Sequence, residues 1–152
     1  MPKTLSTHFT LEELVFSQTA ARKGIDNTPS AEIVANLRTL AATLEQVREV
    51  LGAPVLISSG YRSLALNRAV GGAAHSAHML GLAVDFTAPK SGSVLQVARK
   101  LAASGIAYDK LIHEFGSWVH LGLAEEGVVM ERKQLSIFQG TGYLDGIVSK
   151  PA

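Results

Sequence analysis

The ten residues Ser76-Ala77-His78-Met79-Leu80-Gly81-Leu82-Ala83-Val84-Asp85 set an imidazole and a carboxylate seven positions apart around a glycine. A third donor follows in Trp118-Val119-His120. Two histidines and one carboxylate, with a fourth position open to water, make a zinc set suited to hydrolysis, whereas structural sites close all four positions. These residue types point to an enzyme. The chain has no cysteine, which excludes disulfides and thiolate ligation, so any metal must be held by nitrogen and oxygen.

The donors need elements to carry them. Gly81 to Thr87 alternates Leu82, Val84 and Phe86 against Ala83, Asp85 and Thr87, the two-residue period of a strand with unlike faces. Asp85 shares its face with small Ala83, which leaves room for an ion and its water. Gly81 lets the backbone bend so that His78, on the preceding loop, returns beside Asp85. Lys110 to Phe115 and Trp118 to Leu123 read as a hairpin around Gly116-Ser117. If the loop holds those two residues alone, His113 faces His120 and Glu114 points to the other side. A three-residue loop through Trp118 instead pairs Glu114 with His120. A zinc hydrolase needs a carboxylate within reach of the water it activates, and Glu114 is the acidic residue nearest His120 on its N-terminal side. His75 and His113 are not expected to be ligands, and His8 is expected to be exposed.

Elsewhere, Thr10-Leu11-Glu12-Glu13 is a capping box that opens a short helix to about Ser17, followed by a polar loop from Gln18 to Asn27. Ile33, Leu37, Leu40, Leu44, Val47 and Leu51 recur at helical steps before Gly52, which predicts one long amphipathic helix over 31–51. Pro54 to Ser58 reads as a buried strand, and Ser63 to Val70 as a short helix. Ser93 caps a further helix that stops at Gly105, and a last strand over about Val128 to Phe138 completes the sheet. The expected fold is α+β: a small antiparallel β-sheet with helices packed on one side and the metal site on the sheet's open face.

At 152 residues, 47% hydrophobic and 18% charged, the chain is expected to form one domain over 1–152, with an N-terminal helix and loop over 1–30 and an irregular tail over 139–152. A net charge of +1, with the basic residues scattered, shows no nucleic-acid footprint and no polybasic membrane patch. No apolar run is long enough for a signal peptide or a membrane span. The chain is therefore expected to be a monomer made in the cytosol, reaching any substrate outside the inner membrane only when another factor gives access.

The pattern Ser-x-His-x-x-Gly-x-Ala-x-Asp, followed downstream by Trp-Val-His, resembles the M15 family of zinc peptidases, which includes D-alanyl-D-alanine carboxypeptidases and phage endolysins that cut peptidoglycan stem peptides. Phe9 to Leu14, Asp26-Asn27-Thr28-Pro29, Ser58 to Ser63, Asn67 and Gly71-Gly72 are similar to its small phage and prophage branch. The resemblance implies that Zn²⁺ is bound by His78, Asp85 and His120, and that Glu114 is the general base, six residues before the last histidine as in the related hedgehog domain. Other members place the acid three residues before that histidine, where this chain has Ser117. Some carry a second histidine where this chain has Trp118, whose indole donates but cannot relay a proton.

By the same resemblance Arg62 binds a substrate carboxylate or polarises the scissile carbonyl, and Ser76 bonds substrate or holds the loop. Trp118 and Tyr61 are read as core or as walls of a peptide groove. The implied activity is zinc-dependent hydrolysis of peptidoglycan stem peptides, as a carboxypeptidase or an endolysin-type endopeptidase. The alternatives are a zinc-binding domain of the same fold that binds without cutting, or a virion component using the same peptidase during entry into the cell.

Overall fold

The computed structural model describes residues 3–152, so Met1 and Pro2 of the polar N-terminal run lie outside it. The capping box is present: the Thr10 hydroxyl accepts from the Glu13 N–H while the Glu13 carboxylate accepts from the Thr10 N–H, opening α1 (Leu11–Val15). The expected loop after it is helical at its start. Ser17 accepts from the Ala20 N–H to open α2 (Gln18–Lys23), and Gly24 closes it at φ 65°. Only Ala20 of α2 is buried, so the element shows no apolar period and is marked by its caps alone. The long helix α3 (Ala31–Leu51) runs between the Ser30 cap and Gly52 as expected. It buries Leu37, Leu40, Leu44 and Val47 completely.

Two short strands and a helix follow: β1 (Leu56–Ser59), α4 (Leu64–Ala69), then β2 (Ala83–Thr87) after a 3₁₀ turn over Ala77–Leu80. The rest is α5 (Val94–Ala102), β3 (Lys110–Glu114), β4 (Trp118–Gly122), β5 (Lys133–Ile137) and β6 (Leu144–Asp145). Among the described residues, six strands form one open sheet in the order β1-β2-β4-β3-β5-β6. The α+β class stands, with the helices on one side, but the sheet is mixed rather than antiparallel. After β4 the chain passes over the end of β3 and lands on its far edge, so β5 runs parallel to β3.

Other boundaries move for local reasons. β1 is the outer strand and Leu56 is 52% exposed, so the apolar run at 54–58 is an edge rather than a buried strand. β5 starts at Lys133, since Val128 and Val129 lie exposed in the connecting loop. The tail is not wholly irregular, because Leu144 and Asp145 pair with β5. Helix α5 ends at Ala102, before Gly105. Arg132 takes over that stop: its guanidinium lies 4.5 Å over the Tyr108 ring and donates to the carbonyls of Ala102, Ser104 and Ile106.

The hairpin register is neither of the two expected. Its turn is Phe115-Gly116-Ser117, closed by the Ser117 N–H on the Glu114 carbonyl at 2.9 Å, with Phe115 at φ 58° and Gly116 at φ 64°. Glu114 faces Trp118 and Ile112 faces His120. Because side chains alternate, Ile112, Glu114, Trp118 and His120 all project from one face. Val84, Phe86, Leu111, Val119 and Leu121 project from the other, into the core formed with α3 and α5. Each such fully buried side chain contributes about 1.5–3 kcal/mol. Among the described residues no helix is long and apolar enough to cross a membrane.

Candidate metal centre and active site

Asp85 on β2 and His120 on β4 are direct cross-strand partners, which sets Asp85 Oδ1 2.9 Å from His120 Nδ1. His78 reaches the same point from the 3₁₀ turn. Ser76 caps that turn, its hydroxyl accepting from the His78 N–H, and Gly81 ends it at φ 71°. A Cβ at position 81 would lie 3.0 Å from Ile33 Cγ2 and 3.1 Å from the Ile33 carbonyl oxygen, so glycine is required both by the turn and by its seat on α3. Asn36 of α3 adds a bond from its amide to the Leu80 carbonyl at 2.8 Å.

His78 is 2% exposed, with its Nδ1 2.8 Å from the Gly60 carbonyl. A carbonyl only accepts, so Nδ1 carries the proton and Nε2 points its lone pair inward, 3.3 Å from Asp85 Oδ1. Gly60 itself is wedged against α1, since a Cβ there would overlap the Leu14 carbonyl. Asn27 ties the same region together, donating to the Val15 and Tyr61 carbonyls and accepting from the Ser63 N–H. The donor atoms of His78, Asp85 and His120 all lie within 4.8 Å of one another.

This donor set fits a metal ion. Two ring nitrogens and a carboxylate oxygen converge in a nearly closed space, and the acceptor faces of His78 and Asp85 oppose each other unless a cation lies between them. Burial alone would push the Asp85 carboxyl up, but the hydrogen bond from the His120 ring holds it below the usual carboxylate range. Nitrogen and oxygen donors of this kind suit zinc.

Glu114 shares the face, with Oε1 3.8 Å from His120 Nδ1. Its other oxygen accepts from the Trp118 indole N–H at 3.1 Å. Trp118 therefore holds Glu114 in place as well as lining the groove. Burial, with the Asp85 charge in the same sense, raises the Glu114 carboxyl against the opposing pull of His120, the Trp118 N–H and Arg62. Arg62 stands across from both carboxylates. Its Nη2 donates to the Ser76 hydroxyl at 3.4 Å, while its Nε is buried without a partner. Burial lowers its pKa, and the charges of Asp85 and Glu114 oppose that shift.

Ser76 accordingly serves the loop, touching both the His78 backbone and Arg62. Tyr61 is partly buried against the core and also lines a groove beside the cluster. His113 points to the opposite face, where its ring donates to the Val148 carbonyl and meets Phe138 edge-on. His75 lies on the groove rim outside the cluster, and exposed His8 bonds Glu45. Two groove residues had no mark in the sequence: Phe16, in a two-residue link between helices, and Tyr143, in the tail that β6 folds back. Neither sits in a periodic run, and only the tertiary fold brings them here.

A His/Asp/His cluster on the open face of a mixed sheet, with an acid and an arginine turned toward it, is the arrangement of a metal-dependent hydrolase. Residues 7–122 match the family described as Peptidase M15, and the chain belongs to that family. It is a metallopeptidase, and M15 peptidases are zinc-dependent. No curated protein matches the chain.

Proposed function

We propose that the chain is a zinc-dependent peptidase that hydrolyses peptide bonds of peptidoglycan stem peptides, acting as a monomer on the wall once another factor gives it access. The carrying observation is Glu114, a partly buried carboxylate held by Trp118 and facing His120 Nδ1 across 3.8 Å. Zn²⁺ held by His78, Asp85 and His120 would acidify a water and polarise the scissile carbonyl, as three-ligand zinc sites do.

The protein groups do the rest. Glu114 accepts the proton from the attacking water and passes it to the leaving amine, a task its raised carboxyl suits. Arg62 offers a fixed fork of donors to the carbonyl oxygen or to a substrate carboxylate, and Ser76 holds that fork toward the cleft. Tyr61 and Trp118 wall the groove that receives the peptide. A carboxylate and an arginine both turned toward the donor cluster favour the catalytic reading over a domain that binds without cutting. An endolysin-type role, whether in lysis or in a virion, would use the same chemistry.

Release of new amines from purified peptidoglycan tests this. Zinc-loaded protein should release them, the chelated protein should not, and Glu114→Ala should lower the rate about 10²–10⁴-fold. Release by Glu114→Ala equal to that of the unaltered protein would remove Glu114 from the mechanism.

A further inference from the structure

The cleft does not end at the candidate metal centre. A groove of about 670 Å³ runs over Ile57, Ser58 and Ser59 of β1 to Phe16 and Thr19 at the α1–α2 junction. A second, of about 520 Å³, contains His78, Glu114 and His120 and extends to His75 and Tyr143. The two adjoin along Arg62, Val70, Asp85 and Trp118. Either one alone is in the size range that holds a drug-sized ligand, and so more than one amino-acid residue.

The two arms differ in chemistry. Apart from Arg62 and Asp85 at the junction, every side chain lining the first arm is uncharged, with hydroxyls and aromatic rings prominent. The second carries His75, Asp109, Lys110 and Glu114. A carboxypeptidase needs a pocket that closes one residue beyond the scissile bond, with a cation at its end for the terminal carboxylate. Here the half-buried cation, Arg62, stands at the junction, and the cleft continues past it in both directions.

We infer that the chain cuts an internal bond, the substrate peptide lying through both arms with an uncharged stretch over β1 and a second stretch running past Glu114 toward Tyr143. This rests on the peptidase reading and names its substrate more narrowly. Water adds across one C–N bond: the acyl carbon takes the hydroxyl, and the nitrogen leaves with a proton as the new amine. Tyr143 lies beyond the segment matched to the family, so this end of the cleft is formed by the chain's own C-terminal region.

Mass spectrometry of the products tests the inference with the zinc-loaded full chain on purified peptidoglycan, on a stem peptide ending in D-Ala-D-Ala, and on the C-terminal amide of that peptide. Internal cleavage predicts fragments of two or more residues on both sides of the cut, with the amide cut as fast as the free acid. Thr19→Phe, which narrows the far end of the uncharged arm, should raise KM on peptidoglycan about tenfold with kcat retained. Release of a single terminal residue alone, or a requirement for the free carboxylate, would overturn the inference while leaving the peptidase reading intact. An unchanged KM in Thr19→Phe would remove the uncharged arm from it. No cleavage of any of the three would instead overturn the peptidase reading, and this inference with it.

Discussion

Trp118 and Glu114 work as a pair, because among the described residues the indole N–H is the single side-chain donor bonded to the carboxylate at hydrogen-bonding distance. Trp118→Phe keeps the aromatic wall and removes that donor. Under the proposed mechanism kcat should fall by roughly tenfold, the equivalent of one hydrogen bond of about 1–1.5 kcal/mol, with KM little changed. Steady-state kinetics on a cleaved peptide would show it, and an unchanged kcat would mean the bond plays no part in holding the base. Gly81 acts on the other side of the site. A side chain there must take φ 71° and press on Ile33, so Gly81→Ala should destabilise the protein by about 1–3 kcal/mol and weaken zinc binding through displacement of His78. Urea unfolding and a zinc-competition titration measure the two effects separately.

At the scale of elements, the hairpin decides whether the site exists. Any register that keeps Glu114 and His120 on one face serves the chemistry, and a slip of one residue would send Glu114 into the core. The Phe115-Gly116-Ser117 turn settles it through two consecutive positive φ values, one on a non-glycine residue. No residue-type rule favours phenylalanine there, which is why the sequence left the loop length open. Helix α5 shows a similar dependence. The carbonyl of its last residue, Ala102, and that of Ser104 just beyond it are satisfied by Arg132 from a distant loop, a cap that no local pattern announces. Arg132→Ala should cost about 2 kcal/mol and lower Tm by roughly 4–8 °C in a thermal melt, without altering the metal ligands.

For the molecule as a whole, the N-terminal segment is fastened to α3 through Glu45, which accepts from the Ser6 hydroxyl, the His8 backbone N–H and the His8 ring. Burial alone would raise this carboxyl, but the bonds from Ser6 and His8 hold it at about 2, against an ordinary 4.5. The folded value is depressed, so the stabilisation is present above about 4.5 and is lost as the pH falls through about 2. Glu45→Gln should therefore lower Tm by roughly 2–4 °C at pH 6, about 1 kcal/mol after solvent screening, and the gap should close as the pH approaches 2. A gap that stayed constant across that range would show the contact to be independent of the carboxylate charge.

The sequence by itself determined the candidate donor residues, the faces of β2, the span of α3 and the α+β class, because each depends on residue type, short-range spacing or one glycine. His78, Asp85 and His120 were legible as candidate donors, and the structure brings their donor atoms within 4.8 Å of one another. Tertiary structure alone decided that Asp85 and His120 are cross-strand partners, that β5 runs parallel to β3, and that Phe16 and Tyr143 reach the two ends of one cleft. Strand order and crossover paths follow from how separate elements share one core, and that long-range packing leaves no period in the chain.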